Sequence, residues 1–201
     1  MEVDIPVVFM TFNRPSQAGQ VLESIRRFGP SKLYFVSDGP RKGVEDDQFL
    51  VSRVRALRYE IDWPCQVIEI FADENLGLRQ RFFSALDHVF ETEPCAIVLE
   101  DDCLPSKSFF SFAEAGLRGY SGDVKIGSVS GTNHLGAYSP HSNQAFFGTH
   151  PHIWGWATWQ REWNAFRQSG LREAMPIRVQ LRALLSIESL PGKIFFLNLL
   201  L

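Results

Sequence analysis

Three adjacent carboxylates, Glu100, Asp101 and Asp102, follow directly on the apolar run Ala96-Ile97-Val98-Leu99. The run reads as a buried strand, so the acids stand at its C-terminal end. Neighbouring carboxylates repel one another and are costly to desolvate without a counter-charge. A hard divalent cation suits them, because Mg²⁺ or Mn²⁺ takes oxygen ligands and keeps positions open for substrate phosphates. Ligands of open α/β sheets sit outside the carboxyl ends of the strands. Asp38 repeats the placement, in the turn Ser37-Asp38-Gly39-Pro40 after the apolar run Leu33 to Val36. For each of these acids the competing reading is a charged turn that closes a strand.

Other chemistry-bearing residues cluster later in the chain. Trp154-Gly155-Trp156 combines aromatic faces, suited to stacking on a sugar or base, with a glycine that permits close backbone approach. Trp156, Trp159 and Trp163 are spaced as one helical face, which favours core packing for them. His150 and His152 flank Pro151, and no third ligand is spaced to complete a metal site, so pocket or turn lining is the better reading. Cys65, Cys95 and Cys103 show no CxxC spacing and read as reduced thiols.

The elements that must position these groups alternate. Strands are expected over Ile5 to Phe12, Leu33 to Val36, Gln66 to Phe71, the acid run and Ile126 to Ser130. Helices are expected from Pro15 to about Phe28, Val44 to Tyr59, Leu78 to Phe90 and Ser106 to Tyr120. Successive strand–helix units imply an α/β domain with a mostly parallel sheet flanked by helices. The 201 residues suit a single domain, 1–201. The net charge of −3 and the lack of a basic stripe argue against a nucleic-acid partner. No signal peptide is evident, and no apolar run reaches the roughly 18 residues that cross a bilayer.

Taken in order, these pieces resemble a nucleotide-diphospho-sugar transferase with the GT-A glycosyltransferase fold. The likeness is to family 2-like enzymes, and more closely to bacterial relatives of the N-acetylglucosaminyltransferase that initiates complex N-glycans. It rests on Val7 to Arg14, Val36 to Gly39, Asn75 to Arg79, Ile97 to Asp102 with Phe109-Phe110, Val129 to Gly131 and Trp154 to Ala157. It spans about residues 5 to 165. The resemblance implies Asp102 as direct ligand of Mn²⁺ or Mg²⁺, Asp101 on the ribose or a metal-bound water, and Glu100 on the donor sugar or in the layer behind the metal ligands. It implies Arg14 at the nucleotide, Asp38 at the base or ribose, and Asn75 under the nucleotide. Arg79 or Arg81 would lie near the phosphates, and Trp154, Gly155 and Trp156 would close the donor pocket.

The function so implied is metal-dependent, inverting transfer from a nucleotide-diphosphate sugar, a UDP-sugar such as UDP-GlcNAc, to a saccharide or glycolipid hydroxyl. The implied setting is cytoplasmic, with peripheral association at the inner face of the membrane. Two alternatives stand beside it. One is a catalytically impaired sugar-nucleotide-binding remnant. The other is a sugar nucleotidyltransferase, which would want a glycine-rich phosphate loop after the first strand, and Thr11 to Pro15 contains no glycine. An inverting transferase also needs a base. Beyond Trp163 the chain offers Glu173 and Glu188 without the aromatic neighbours such a base keeps in the resembled family. The apolar run Ile194 to Leu201 ends without a cap, so the acceptor-side portion is expected to be incomplete.

Overall fold

The computed structural model describes residues 4–132, 145, 147–148 and 151–169. The chain divides into two compact units, Met1–Trp163 and Asn164–Leu201. Residues 164–169 are the described part of the second. His134, His141, His150, Glu173, Glu188 and the run Ile194 to Leu201 lie outside the described residues.

The fold starts from three short apolar runs. Strand β1 (Val7–Thr11) is buried along its whole length. It lies between β2 (Lys32–Ser37) and β4 (Cys95–Glu100), parallel to both, with Phe9 opposite Phe35 on one side and Leu99 on the other. Such unbroken apolar runs are what a strand covered on both faces requires. Strand β3 (Gln66–Phe71) extends the sheet parallel to β2. Beyond β4 the direction changes. Strand β6 (Trp156–Trp159) pairs antiparallel with β4, and β5 (Ser128–Ser130) pairs antiparallel with β6. The order is β3-β2-β1-β4-β6-β5, a mixed six-stranded sheet flanked by helices.

Helix α1 (Pro15–Phe28) begins with proline at its first turn, where the missing N–H costs nothing. It buries Ala18, Val21, Leu22 and Ile25, one stripe at helical spacing. Helix α4 (Lys107–Gly119) buries Phe109, Phe110, Ala113 and Leu117 in the same core cluster. Phe28 and Phe110 stack there with centroids 4.5 Å apart. Burying one such side chain is worth about 1.5–3 kcal/mol, so each of these contacts adds appreciably to stability. Helix α2 (Asp47–Ala56) starts later than the sequence suggests and passes into a 3₁₀ turn at Leu57–Glu60. Helix α3 (Leu78–Val89) carries Phe82 against Trp156.

The tryptophan spacing misleads. Trp156 and Trp159 lie on β6, not on a helix, and only Trp163 belongs to α5 (Gln160–Gln168). Residues three apart on a strand point to opposite faces. Trp156 accordingly stacks on Phe82 of α3, whereas Trp159 Nε1 donates to Leu117 O of α4 at 3.2 Å. Pairing to β4 and β5 overrides the helical spacing. Trp163 Nε1 donates to Asp87 Oδ1 of α3 at 2.9 Å.

Candidate active site

The C-terminal ends of β2, β1 and β4 lie side by side, with Ser37 beside Thr11 and Met10 beside Glu100. The turns that follow them therefore converge. Asp101 is 1% exposed. It accepts a hydrogen bond from the Phe12 backbone N–H at 3.2 Å and an ion pair from Arg14. The other arm of the same guanidinium reaches Asp102 at 2.9 Å. The Asp102 side chain is 50% exposed. Glu100 is half-buried, and burial followed by the charges of Asp102 and Asp101 lifts it above the ordinary carboxylate range, with Arg14 opposing. Burial likewise lifts Asp101 against the pull of Arg14.

Beside Asp102 opens a cleft of about 550 Å³, walled by Leu99, Cys103, Leu104, Phe109, Thr132 and Trp154. Two glycines shape it. Gly155 has φ +66°, a conformation that side chains rarely adopt, and its carbonyl accepts from Gly131 N at 2.8 Å. A Cβ on Gly131 would come within 2.5 Å of the Phe109 ring. Thr132 Oγ1 donates to Trp154 O at 2.6 Å, fixing the turn that presents the indole. Trp154 is 64% exposed. Burial pushes the Cys103 thiol up to about 11, so it stays neutral near pH 7 and acts as lining.

Asp38 has a different environment. It is 5% exposed, and both oxygens are used within the protein. Oδ1 accepts from Gly39 N and Leu76 N, each at 2.9 Å; Oδ2 accepts from Gly77 N and Asn75 Nδ2, each at 3.0 Å. Asn75 Nδ2 also donates to Gly39 O at 2.9 Å. Asp38 and the Asn75 amide nitrogen thus clamp the loop before α3. A third acid, Asp47, braces the first loop. It is buried, accepts from Asn13 Nδ2 at 2.8 Å, and takes Arg41 bidentately at 2.6 and 3.0 Å. Arg41 in turn lies over the Phe12 ring, 5.4 Å from its centroid.

The residues expected at the phosphates and the donor pocket separate. Arg81 is 7% exposed, donates to Ile70 O at 2.9 Å, and its Nε has no partner. Buried on the inner face of α3, it does not offer a surface cation to phosphate. Arg79 is exposed and lies over the Phe83 ring. Trp156 is buried against Phe82 and does not line the cleft, whereas Trp154 and Gly155 do. The structure therefore joins Arg14, Asp101 and Asp102 in one cluster. It places Asp102, Trp154 and Gly155 on one cleft, and Asp38 with Asn75 in a loop clamp. The sequence reading missed the cleft walls Leu104 and Thr132 and the Asp47 brace. Asp47 sits in a charged surface-like run, with no local signal that Arg41 and Asn13 would bury it.

No group of three or more His, Cys, Asp or Glu among the described residues is arranged to hold a metal ion. The donor set fits a divalent ion in one way only: Asp102 presents an accessible carboxylate, and a magnesium-type ion needs just one or two carboxylates when substrate phosphates complete its shell. Asp101, with its oxygens engaged by Phe12 and Arg14, is not an accessible ligand. No helix among the described residues is long and apolar enough to cross a membrane.

No family model and no curated protein matches the sequence. Among solved structures, the chain is similar to a mannosyltransferase from Pyrobaculum calidifontis in complex with GDP-Man and Mn²⁺, at 18% identity and TM-score 0.46, over 65% of this chain and 35% of that one. It is also similar to 4-diphosphocytidyl-2C-methyl-D-erythritol synthase from Anaerococcus prevotii, at 10% identity and TM-score 0.48, over 83% of this chain and 78% of that one. The chain thus spans about a third of the mannosyltransferase, and likenesses this distant assign no chemistry.

Proposed function

We propose that the chain binds a nucleotide-diphosphate sugar together with a divalent cation and takes part in glycosyl transfer. The observation that carries this reading is the half-exposed Asp102 carboxylate opening on a cleft whose rim is an exposed tryptophan. A carboxylate beside a cation-and-diphosphate pair and an aromatic face against a sugar ring are the two recognition elements such a donor needs.

The roles follow from accessibility. Asp102 would hold Mn²⁺ or Mg²⁺, which when bound neutralises the diphosphate as the glycosidic bond breaks. Arg14, exposed at the same turn, adds a fixed positive charge for the diphosphate. Asp101 acts through others, holding the Phe12 backbone and one arm of Arg14. Trp154 offers its face to the sugar, and Gly155 lets the sugar approach the backbone. Asp38 and Asn75 keep the loop before α3 in place. The finer reading is a UDP-sugar donor, UDP-GlcNAc among the candidates, a saccharide or glycolipid acceptor, and inversion at the anomeric carbon.

Titration calorimetry with UDP, with and without Mn²⁺, tests the proposal on the wild type and Asp102→Asn. UDP binding that needs Mn²⁺ and weakens in the variant supports it. UDP affinity indifferent to both the cation and the substitution overturns it. Incubation with UDP-sugars then separates transfer, read as UDP release that rises with acceptor, from a binding remnant that releases none. Pyrophosphate released from a nucleoside triphosphate and a sugar phosphate would instead mark a nucleotidyltransferase.

A further inference from the structure

Arg14 is a two-headed cation whose ends are unequal. One arm pairs with Asp101, which is buried and also fixed by the Phe12 backbone. Releasing that arm would strand a buried charge, so it is held firmly. The other arm pairs with Asp102 at 2.9 Å, where both side chains are about half exposed, at 43% and 50%. Pairings of that kind are easily exchanged. The backbone at the arginine is tied into α1, with its carbonyl accepting from Ala18 N at 2.9 Å, and the neighbouring Asn13 side chain is held by Asp47.

Competition for Asp102 gives this arrangement a direction. The two aspartates and the guanidinium together carry one net negative charge, and Glu100 stands beside them. A divalent cation arriving alone would have to displace or face the Arg14 arm on Asp102. A nucleoside diphosphate offers oxygens to the displaced arm and negative charge to the cation.

We propose, on the nucleotide-diphosphate reading above, that Arg14 is the resident counter-cation of Asp102. It yields that carboxylate to a divalent cation only when a nucleoside diphosphate is present to take its freed arm. Nη2 stays on Asp101 throughout, while Nη1 exchanges Asp102 for the diphosphate. Arg14 thus binds the diphosphate and couples the two ligands: each binds weakly alone, and each strengthens the other. A residue that merely shaped Asp102 would have the opposite signature, since removing it would weaken metal binding.

Calorimetric titrations of MnCl₂ alone, and of UDP and GDP in the presence of Mn²⁺, decide the matter. They compare the wild type with Arg14→Gln and Arg14→Lys, with folding checked by circular dichroism. The lysine variant keeps a cation for Asp101 but lacks the second arm, so it serves if the glutamine variant fails to fold. Arg14→Gln is expected to bind Mn²⁺ alone about tenfold more tightly than the wild type, the scale of removing one charge a few ångströms from a divalent ion, and Arg14→Lys, which keeps the charge but frees Asp102, more tightly than the wild type by a smaller factor. Both are expected to lose most of the gain in nucleotide affinity that Mn²⁺ gives the wild type. Equal or weaker Mn²⁺ binding in the folded variants, with wild-type nucleotide binding intact, overturns the coupling and leaves the nucleotide reading standing. Unfolding of both variants also overturns it, making Arg14 a structural residue. No nucleotide binding by the wild type in Mn²⁺ overturns the nucleotide reading itself, and this inference with it.

Discussion

The turns after β2 and β4 carry the same local pattern, a carboxylate at the end of a buried parallel strand, and the fold uses them in opposite ways. After β2, Asp38 accepts four hydrogen bonds from the segment 39–77 and is sealed from solvent. After β4, the chain supplies Asp102 with one exposed guanidinium and the weak thiol donor of Cys103, and leaves the carboxylate half exposed on a cleft. The difference lies in the supply of backbone donors. The Asn75-Leu76-Gly77 loop delivers two N–H groups and a side-chain amide to Asp38, and no such loop reaches Asp102. An acid at a strand end becomes structural when nearby backbone donors satisfy it and remains available for ligands when they do not.

The strongest test of the contrast is to remove each acid. Asp38→Ala leaves the buried Gly39 N–H and part-buried donors on Asn75, Leu76 and Gly77 without their acceptor. It is expected to lower unfolding free energy by about 3–5 kcal/mol, read from urea denaturation. A variant as stable as the wild type but deficient in UDP binding would return Asp38 to the nucleotide. Gly39→Ala probes the same clamp from the backbone side, because a Cβ there would fall 2.4 Å from the Glu74 carbonyl carbon. The loop must shift, at a cost of about 2 kcal/mol in the same assay. A neutral result would show that the clamp is loose.

Asp102→Asn should behave in the reverse manner. Its stability is expected within about 1 kcal/mol of the wild type, as for an exposed ion pair. Its UDP affinity in Mn²⁺ should fall at least about tenfold. A large loss of stability would erase the distinction between the two turns.

The smallest effect concerns Asp47, an internally satisfied acid like Asp38 but paired with a half-exposed arginine. Hydrogen bonds from Arg41 hold its carboxyl well below the ordinary carboxylate range, against burial that pushes it up. Its stabilising contribution is therefore complete above the unfolded value near 4 and fades as pH falls toward the lower folded value. Asp47→Asn is expected to flatten this acid limb of a stability-against-pH curve. An unchanged limb would mean that other carboxylates carry it.

What the sequence made legible was local. Pro15 and the stripe Ala18, Val21, Leu22 and Ile25 define α1, and β3 runs from Gln66 to Phe71 as its alternation predicts. The family resemblance implied one donor site holding Asp102, Trp154, Gly155 and Trp156; the first three line one cleft and Trp156 does not. Three things were hidden because they depend on distant pairing. The tryptophans of β6 are spaced like a helix and become a strand only between β4 and β5. Arg81 looks like a surface cation until Ile70 and Asp38 surround the inner face of α3. Asp38 and Asp102 cannot be told apart by neighbours in sequence, because the donors that separate them lie at Leu76 and Gly77.

The antiparallel insertion of β6 has a consequence for how the domain assembles. Strand β4 presents one unpaired edge until Trp156–Trp159 joins it, long after β4 itself has been synthesised. That pairing joins segments far apart in sequence, as the pairing of β1 with β4 also does, and it closes only once both strands are present. Until β6 docks, the strand bearing the acids is a sheet edge, with an apolar run open to pairing with other chains. The wall carrying Trp154 and Gly155 arrives with the same late strand. Protection of that edge and completion of the cleft are therefore one event, and a chain halted before β6 docks has neither.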